Sequence, residues 1–277
     1  MSYKIVLDSC GEIPREYQND ARFESVPLGL EVGDYCILDD ETFNQAEFLQ
    51  KVAEYPKCPK SSCPSPDRYL SAYTCDAERV YVVTLSAQLS GSHNSACLAR
   101  NLYLEKFGEK QIHVVDSQSA SCGETQIALK IMELEAQGFP FEEIVEQIER
   151  FRDEMFTYFV LDNLETLRKN GRLSRAKAMV ASTLSIKPIM AGDCGTIVQK
   201  GQGIGIRKAL GKMAEMVAQV PDAEKRRLMI THCNAPERAE LIKKLVMAKA
   251  AFRECIIMDT RGVSSMYAND GGVIVTA

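Results

Sequence analysis

Arg79-Val80-Tyr81-Val82-Val83-Thr84, followed by Leu85-Ser86-Ala87-Gln88-Leu89-Ser90-Gly91-Ser92-His93-Asn94-Ser95, is the stretch that decides the fold. The first six residues are dominated by β-branched and aromatic side chains, as in a strand buried on both faces of a parallel sheet. The serine-rich segment after them opens a helix pattern from Ser92 to Phe107. Strand, polar strand end and helix make the repeating unit of an open α/β sheet, which places its ligands at the carboxyl ends of its strands. The rhythm recurs outward. Strands are predicted at Tyr3 to Leu7, Gln111 to Val115 and Thr157 to Val160, and helices at about Thr42 to Ala53, Ser65 to Tyr73, Cys122 to Ala136 and Phe141 to Glu154. Their order predicts parallel pairing.

Beyond residue 155 the pattern changes. Ser185 to Met190, the turn Gly192-Asp193-Cys194-Gly195 and Thr196 to Lys200 read as a hairpin, with a helix from Ile206 to Gln219 after it. Leu228 to His232, Pro236 to Ala250 and Glu254 to Met258 add a βαβ-like unit. The expected architecture is two α/β domains with a ligand between them. Residues 1–155 form an N-terminal domain with a mostly parallel sheet flanked by helices; residues 156–277 form a smaller C-terminal α/β domain carrying the hairpin.

With 277 residues, 45% of them hydrophobic and 26% charged, the chain has the composition of an ordinary folded protein. A net charge of −5 argues against nucleic acid, which needs a concentrated basic face, and points to a small ligand or a protein partner. Met1 to Asp8 moves straight into a strand pattern, without the apolar run of an export signal. The apolar stretch around Ala178 to Met190 is interrupted by Lys187 and Pro188, so no membrane span is expected and a cytoplasmic location is. The ten cysteines are scattered and none forms C-x-x-C, so reduced structural thiols are expected, with no metal and no cofactor. Cys58 and Cys63 lie closest together but lack two further ligands.

Three strand ends are polar. A helix start after Gly91 offers unpaired N–H groups to a carboxylate or phosphate, and Gly91 allows close approach; taken alone, Ser90 or Ser92 reads as a helix cap. Val115-Asp116-Ser117-Gln118-Ser119-Ala120-Ser121 repeats the style and is also explained by capping. In Lys60-Ser61-Ser62-Cys63-Pro64-Ser65-Pro66, Ser65 caps a helix with Pro66 at its first position, which leaves Ser61 unexplained.

Catalytic alternatives are weaker. A serine-dependent acyl hydrolase or transferase is the second reading, yet G-x-S-x-G is absent. His93 is the best candidate base but adjoins Ser92 on a helix, and helical neighbours diverge; His113 lies inside a strand. His232, at a strand end, could line a cleft or accept a phosphoryl group. Lys200-Gly201-Gln202-Gly203-Ile204-Gly205 matches neither phosphate-binding glycine motif and reads as a flexible hairpin-to-helix connection. Asp39-Asp40 and Glu142-Glu143 read as carboxylates satisfied by solvent or a helix start, and Glu224 to Arg227 as a solvated face.

Five segments in order resemble the DegV family of bacterial fatty-acid-binding proteins: Asp8-Ser9, Ser61-Ser62-Cys63-Pro64-Ser65, Leu89-Ser90-Gly91-Ser92, Asp116-Ser117 and Asn170-Gly171-Arg172-Leu173-Ser174. Ile186 to Ile189 and Lys200 to Leu210 extend the likeness over nearly the whole chain. The resemblance implies a non-enzymatic role in lipid transport and fatty-acid metabolism: binding of a long-chain fatty acid, its carboxylate on Ser61 and Ser90 beside Gly91 and Ser92, its chain in an apolar tunnel. It implies head-group or partner contacts for Arg172, Ser117 and Asn269, and a fatty-acid kinase as partner. One departure bears on that partner, because Ala268 in Met266-Tyr267-Ala268-Asn269-Asp270-Gly271-Gly272 stands where the family often has a histidine. At ~0.8 kcal/mol per buried methylene, about fifteen carbons gain roughly 12 kcal/mol before association costs, against about 1.5–3 kcal/mol for each hydrogen bond to the head. Affinity should come from the tunnel and orientation from the serines.

Overall fold

The computed structural model describes residues 2–173 and 185–277. Ser174, which closes the fifth motif, and the start of the apolar stretch at Ala178 lie outside the described residues.

In chain order the elements are β1 (Tyr3–Asp8), β2 (Phe23–Val26), β3 (Gly29–Val32), β4 (Tyr35–Leu38), α1 (Gln45–Glu54), β5 (Lys60–Ser62), α2 (Pro66–Tyr73), β6 (Arg79–Thr84), α3 (Ser92–Phe107), β7 (Gln111–Asp116), α4 (Cys122–Ala136) and α5 (Phe141–Asp153). After them come β8 (Thr157–Val160), α6 (Glu165–Lys169), β9 (Ile186–Asp193), β10 (Thr196–Ile204), α7 (Ile206–Val217), β11 (Arg227–His232), α8 (Pro236–Met247), β12 (Glu254–Asp259), α9 (Gly262–Ala268) and β13 (Val273–Thr276). Two principal sheets result. One has the order β2-β1-β6-β7 and is parallel throughout; the other, β10-β9-β8-β13-β11-β12, is mixed, with only β11 and β12 parallel. A small antiparallel sheet, β4-β3-β5, stands apart. The α/β class, the parallel first sheet, the hairpin and the βαβ unit agree with the sequence reading.

Burial explains the first sheet. Every residue of β6 is buried, so no polar alternation was to be expected, and the strand sits between β1 and β7. The hairpin turns on Cys194 and Gly195, both at positive φ (47° and 77°), the pairing of backbone angles that suits a two-residue turn to the twist of its strands. Lys200 to Ile204 are not a connection as expected but the end of β10, and Gly203 is required there because a Cβ would lie 2.3 Å from the Ala209 nitrogen of α7.

Helix α4 joins the halves. Ten of its fifteen residues are buried, Ile127, Ala128 and Ile131 in the core of the first sheet and Leu129 against Met229 of the second. Gln126 Nε2 donates to the carbonyls of Arg227 (2.7 Å) and Thr276 (3.4 Å).

Asp39 is a correction. Far from being solvated, it is fully buried, and its two oxygens accept the N–H groups of Gly262 and Val263, both at 2.8 Å. Those are the first two residues of α9, where N–H groups lack helical partners. Asp39 therefore hangs α9 from the small sheet's edge.

Candidate functional site

A cavity of about 350 Å³ lies where the carboxyl ends of β1 and β6 face the second sheet. Its walls are mainly apolar: Leu28, Leu85 and Leu89 from the first half, and Phe159, Leu161, Ile197 and Ile274 from strands and strand ends of the second. The loops that frame it are tied down by side chains. Asp116 Oδ1 accepts the N–H groups of Ala87 and Gln118, each at 3.0 Å, and Ser86 Oγ donates to the carbonyl of Gly195 at 2.6 Å, fastening the hairpin turn to the end of β6.

A polar cluster occupies part of the wall. Ser61 is presented by β5, where it pairs with Leu30, and its Oγ lies 3.1 Å from the Tyr267 hydroxyl of α9. The Arg172 guanidinium sits 5.8 Å from the Tyr267 ring centroid, within cation–π range. Arg172 follows Gly171, whose φ of 77° ends α6; the Arg172 N–H then closes on the Leu167 carbonyl at 2.8 Å. Its Nε donates to the Leu89 carbonyl (3.1 Å) and Nη1 to that of Asn170 (2.5 Å), and no carboxylate among the described residues pairs with it. Ser90 Oγ accepts the Ser92 N–H at 3.2 Å, which leaves its own proton to donate. Gly91 is also on the wall, where a Cβ would come within 3.1 Å of Cys63 Sγ.

Burial pushes the Tyr267 phenol above its ordinary value, opposed by its bond to Ser61 and by the Arg172 charge, so it stays neutral. A neutral phenol can donate to Ser61, and Ser61 can pass its own proton outward. Two hydroxyl donors and a guanidinium on a mainly apolar wall suit one carboxylate bearing a long apolar body.

Three residues named from sequence do not stand on that wall. Ser92 is buried, its Oγ donating to Asp8 Oδ2 at 2.5 Å and lying 2.6 Å from the Tyr69 hydroxyl. Ser117 turns back on its own loop, accepting the Ser119 N–H and donating to the Ser119 carbonyl. Asn269 ends α9, bonded to Thr166 Oγ1 (3.2 Å) and to the Tyr267 carbonyl (3.1 Å). In each case a nearer partner takes the polar group. Ala268, by contrast, is on the wall. Sequence reasoning passed over Tyr267 itself; its one signal was adjacency to Ala268 in the closing segment.

The histidines lie elsewhere. His93 Nδ1 is 3.4 Å from Thr84 Oγ1, His113 Nε2 is 3.0 Å from Glu149, and His232 Nδ1 accepts the Ala235 N–H while facing Asp259 at 3.4 Å. None of the three lines the cavity.

The model of the family described as "Uncharacterised protein, DegV family" matches residues 2–276. A DegV domain-containing protein of Streptococcus gordonii is 34% identical over 279 residues, covering 99% of this chain and 98% of that protein. A crystal structure of a DegV-family protein from Ruminococcus gnavus, described with vaccenic acid, is 52% identical and superposes with a TM-score of 0.96 over 100% of both chains. The Streptococcus pneumoniae Fatty Acid Kinase (Fak) B3 protein, loaded with linoleic acid, is 31% identical with a TM-score of 0.90, over 100% of this chain and 99% of that one.

Proposed function

Since the chain belongs to the DegV family, we propose that it is a carrier that holds one long-chain fatty acid in the cavity between its two sheets and presents the carboxyl group to a fatty-acid kinase. The carrying observation is the cavity's division of labour: leucine, isoleucine and phenylalanine walls for the chain, Ser61 and Ser90 with Arg172 for the head. Related proteins solved with vaccenic and linoleic acid support the ligand class, and the kinase-named relative supports the partner.

The ligand is oriented by Ser61 and Ser90, each donating one proton to the carboxylate, while Arg172 supplies the compensating charge. Residues 1–155 and 156–277 are the two domains of this reading, a division supported by sheet membership, since every strand of the six-stranded sheet follows residue 156. The role is that of a cytoplasmic lipid-binding protein without catalysis of its own. In support, the histidines that a serine hydrolase would recruit bond elsewhere, and among the described residues no helix is long and apolar enough to cross a membrane. Ala268 stands at the kinase-facing end where the family often has a histidine, and the neighbouring Asn269 bonds to Thr166 Oγ1.

Native mass spectrometry of protein purified without added lipid, followed by organic extraction, tests the proposal. A bound fatty acid in stoichiometric amount is the expected result. An empty protein that also refuses added palmitate and oleate would overturn it. Recovery of a fatty-acid kinase with the native protein tests the partner separately.

A further inference from the structure

Behind the head-group loop lies a cluster of buried acids that ligand binding does not use. Asp8 ends β1 and is wholly buried. Its Oδ1 accepts the Cys10 N–H (3.1 Å), and its Oδ2 accepts the Leu85 N–H (2.9 Å) and the Ser92 hydroxyl (2.5 Å). Leu85 and Ser92 bracket the loop that carries Leu89, Ser90 and Gly91. Because the Ser92 N–H in turn donates to Ser90 Oγ, Asp8 reaches the head-group serine through a single intervening residue.

Glu124, in the first turn of α4, is equally buried, and neither of its carboxyl oxygens has a hydrogen-bond partner. It faces Asp8: carboxyl oxygens of Asp8 and Glu124 and the Cys10 Sγ lie within 4.8 Å of one another. Gly11 makes room for it, since a Cβ there would meet Glu124 Cβ at 3.0 Å. The other titratable groups turned toward the pair are Cys10 and Glu12 after β1 and Tyr69 of α2, and among the described residues no lysine, arginine or histidine is paired with either acid. Two ionised carboxylates this close, buried and with no cationic side chain among the described residues paired with either, repel strongly; one proton between them relieves that repulsion and gives Glu124 a hydrogen-bond partner.

We propose that Asp8 is a positioning residue for Ser90, and that Glu124 is a neutral acid whose O–H donates to the Asp8 carboxylate and fixes it in place. Asp8 keeps the negative charge because three donors already converge on it, whereas only the Cys10 thiol is turned toward Glu124. Burial, reinforced by the Asp8 charge, drives Glu124 in the same direction, well above the usual carboxylate range. The positioning half of this inference rests on the fatty-acid reading of the cavity; the proton does not.

Two measurements on the full chain test the halves separately. The infrared difference between wild type and Glu124→Gln at neutral pH should contain the carbonyl band of a protonated acid, to which Glu12, common to both proteins, does not contribute. For positioning, oleate and methyl oleate affinities are compared among Asp8→Asn, Glu124→Met and Glu124→Gln. Asp8→Asn and Glu124→Met should weaken oleate by roughly ten- to a hundredfold and leave the ester nearly unchanged, whereas Glu124→Gln, whose amide can still donate to Asp8, should restore oleate binding. A merely structural role would weaken acid and ester alike. The proposal is overturned if the band is absent, if a folded Asp8→Asn variant binds oleate like the wild type, or if one divalent metal ion per chain is found that Glu124→Gln removes. Should the wild type bind neither oleate nor its ester, the fatty-acid reading fails while the infrared result still decides the proton.

Discussion

Replacing Ser61 and Ser90 together by alanine separates the head of the ligand from its tail. Each serine gives up one hydrogen bond to a charged group, worth about 1.5–3 kcal/mol, so the double variant should bind a fatty acid roughly 3–6 kcal/mol more weakly, a factor of about 10² to 10⁴ in Kd. The tail contributes independently: each methylene added within the cavity should strengthen binding by about 0.8 kcal/mol, or roughly fourfold. Isothermal titration with saturated acids from about ten to sixteen carbons therefore yields a line for each protein, and the substitutions should displace that line without changing its slope. The slope flattens where the chain outgrows the cavity, which gives the length limit directly. Methyl esters provide the control, since an ester lacks the charge that the serines recognise, and both proteins should bind it about equally. Coincident lines for the two proteins, or a change of slope in place of an offset, would refute the assignment of head and tail.

Other outcomes follow from single residues. Burial raises Glu12 from 4.5 to about 7, so its ionisation, free in the unfolded chain, opposes folding: stability present below about pH 4.5 is lost as pH rises through about 7, by roughly 3 kcal/mol. Glu12→Gln can keep both contacts, accepting from the Arg261 N–H and donating to Ser121 Oγ, whose proton turns to Thr231 Oγ1, 2.8 Å away. Urea unfolding should find wild type and variant alike near about pH 4.5 and the variant about 3 kcal/mol more stable above about pH 7.5; parallel pH profiles would disprove the account. Asp39→Ala removes both acceptors at the start of α9 and should cost roughly 2–4 kcal/mol of stability while loosening Tyr267 and weakening ligand binding; an unchanged urea midpoint would show that α9 does not depend on it. Tyr267→Phe should weaken oleate about fivefold through loss of the hydroxyl that orients Ser61, and Arg172→Gln by about tenfold or more, both read by titration. Equal affinities in wild type and Arg172→Gln would place the guanidinium outside the head-group site.

Where a segment's structure follows from its own side chains, the sequence was readable. β6 and β8, α3 and α4 fall at the predicted residues because each is a sustained apolar run or a long helical pattern. β2 to β5 escaped notice: at three or four residues, with Glu24, Glu31 and three serines among them, they carry no period long enough to detect. α9 is only seven residues long, and the acid that holds its start lies 223 positions upstream of Gly262, so no local pattern announces it. The same limit governs the site. Serines at strand ends were conspicuous, and Ser61 and Ser90 do stand on the cavity wall, but spacing could not tell which hydroxyls face outward. Ser92 was taken by Asp8 from another strand, and Ser117 by its own loop.

The position of α4 constrains how cargo can enter and leave. A clamshell opening would have to tear the helix from one sheet or the other, wetting several of its ten buried residues and breaking the Gln126 bonds to Arg227 and Thr276. At about 1.5–3 kcal/mol for each large apolar residue exposed, that motion approaches the stability of a whole domain. Exchange must therefore proceed through local displacement at the cavity rim, with the spine of the molecule closed throughout. Off-rates should then respond to substitutions around Tyr267 and the hairpin turn, and be indifferent to changes that merely raise or lower global stability.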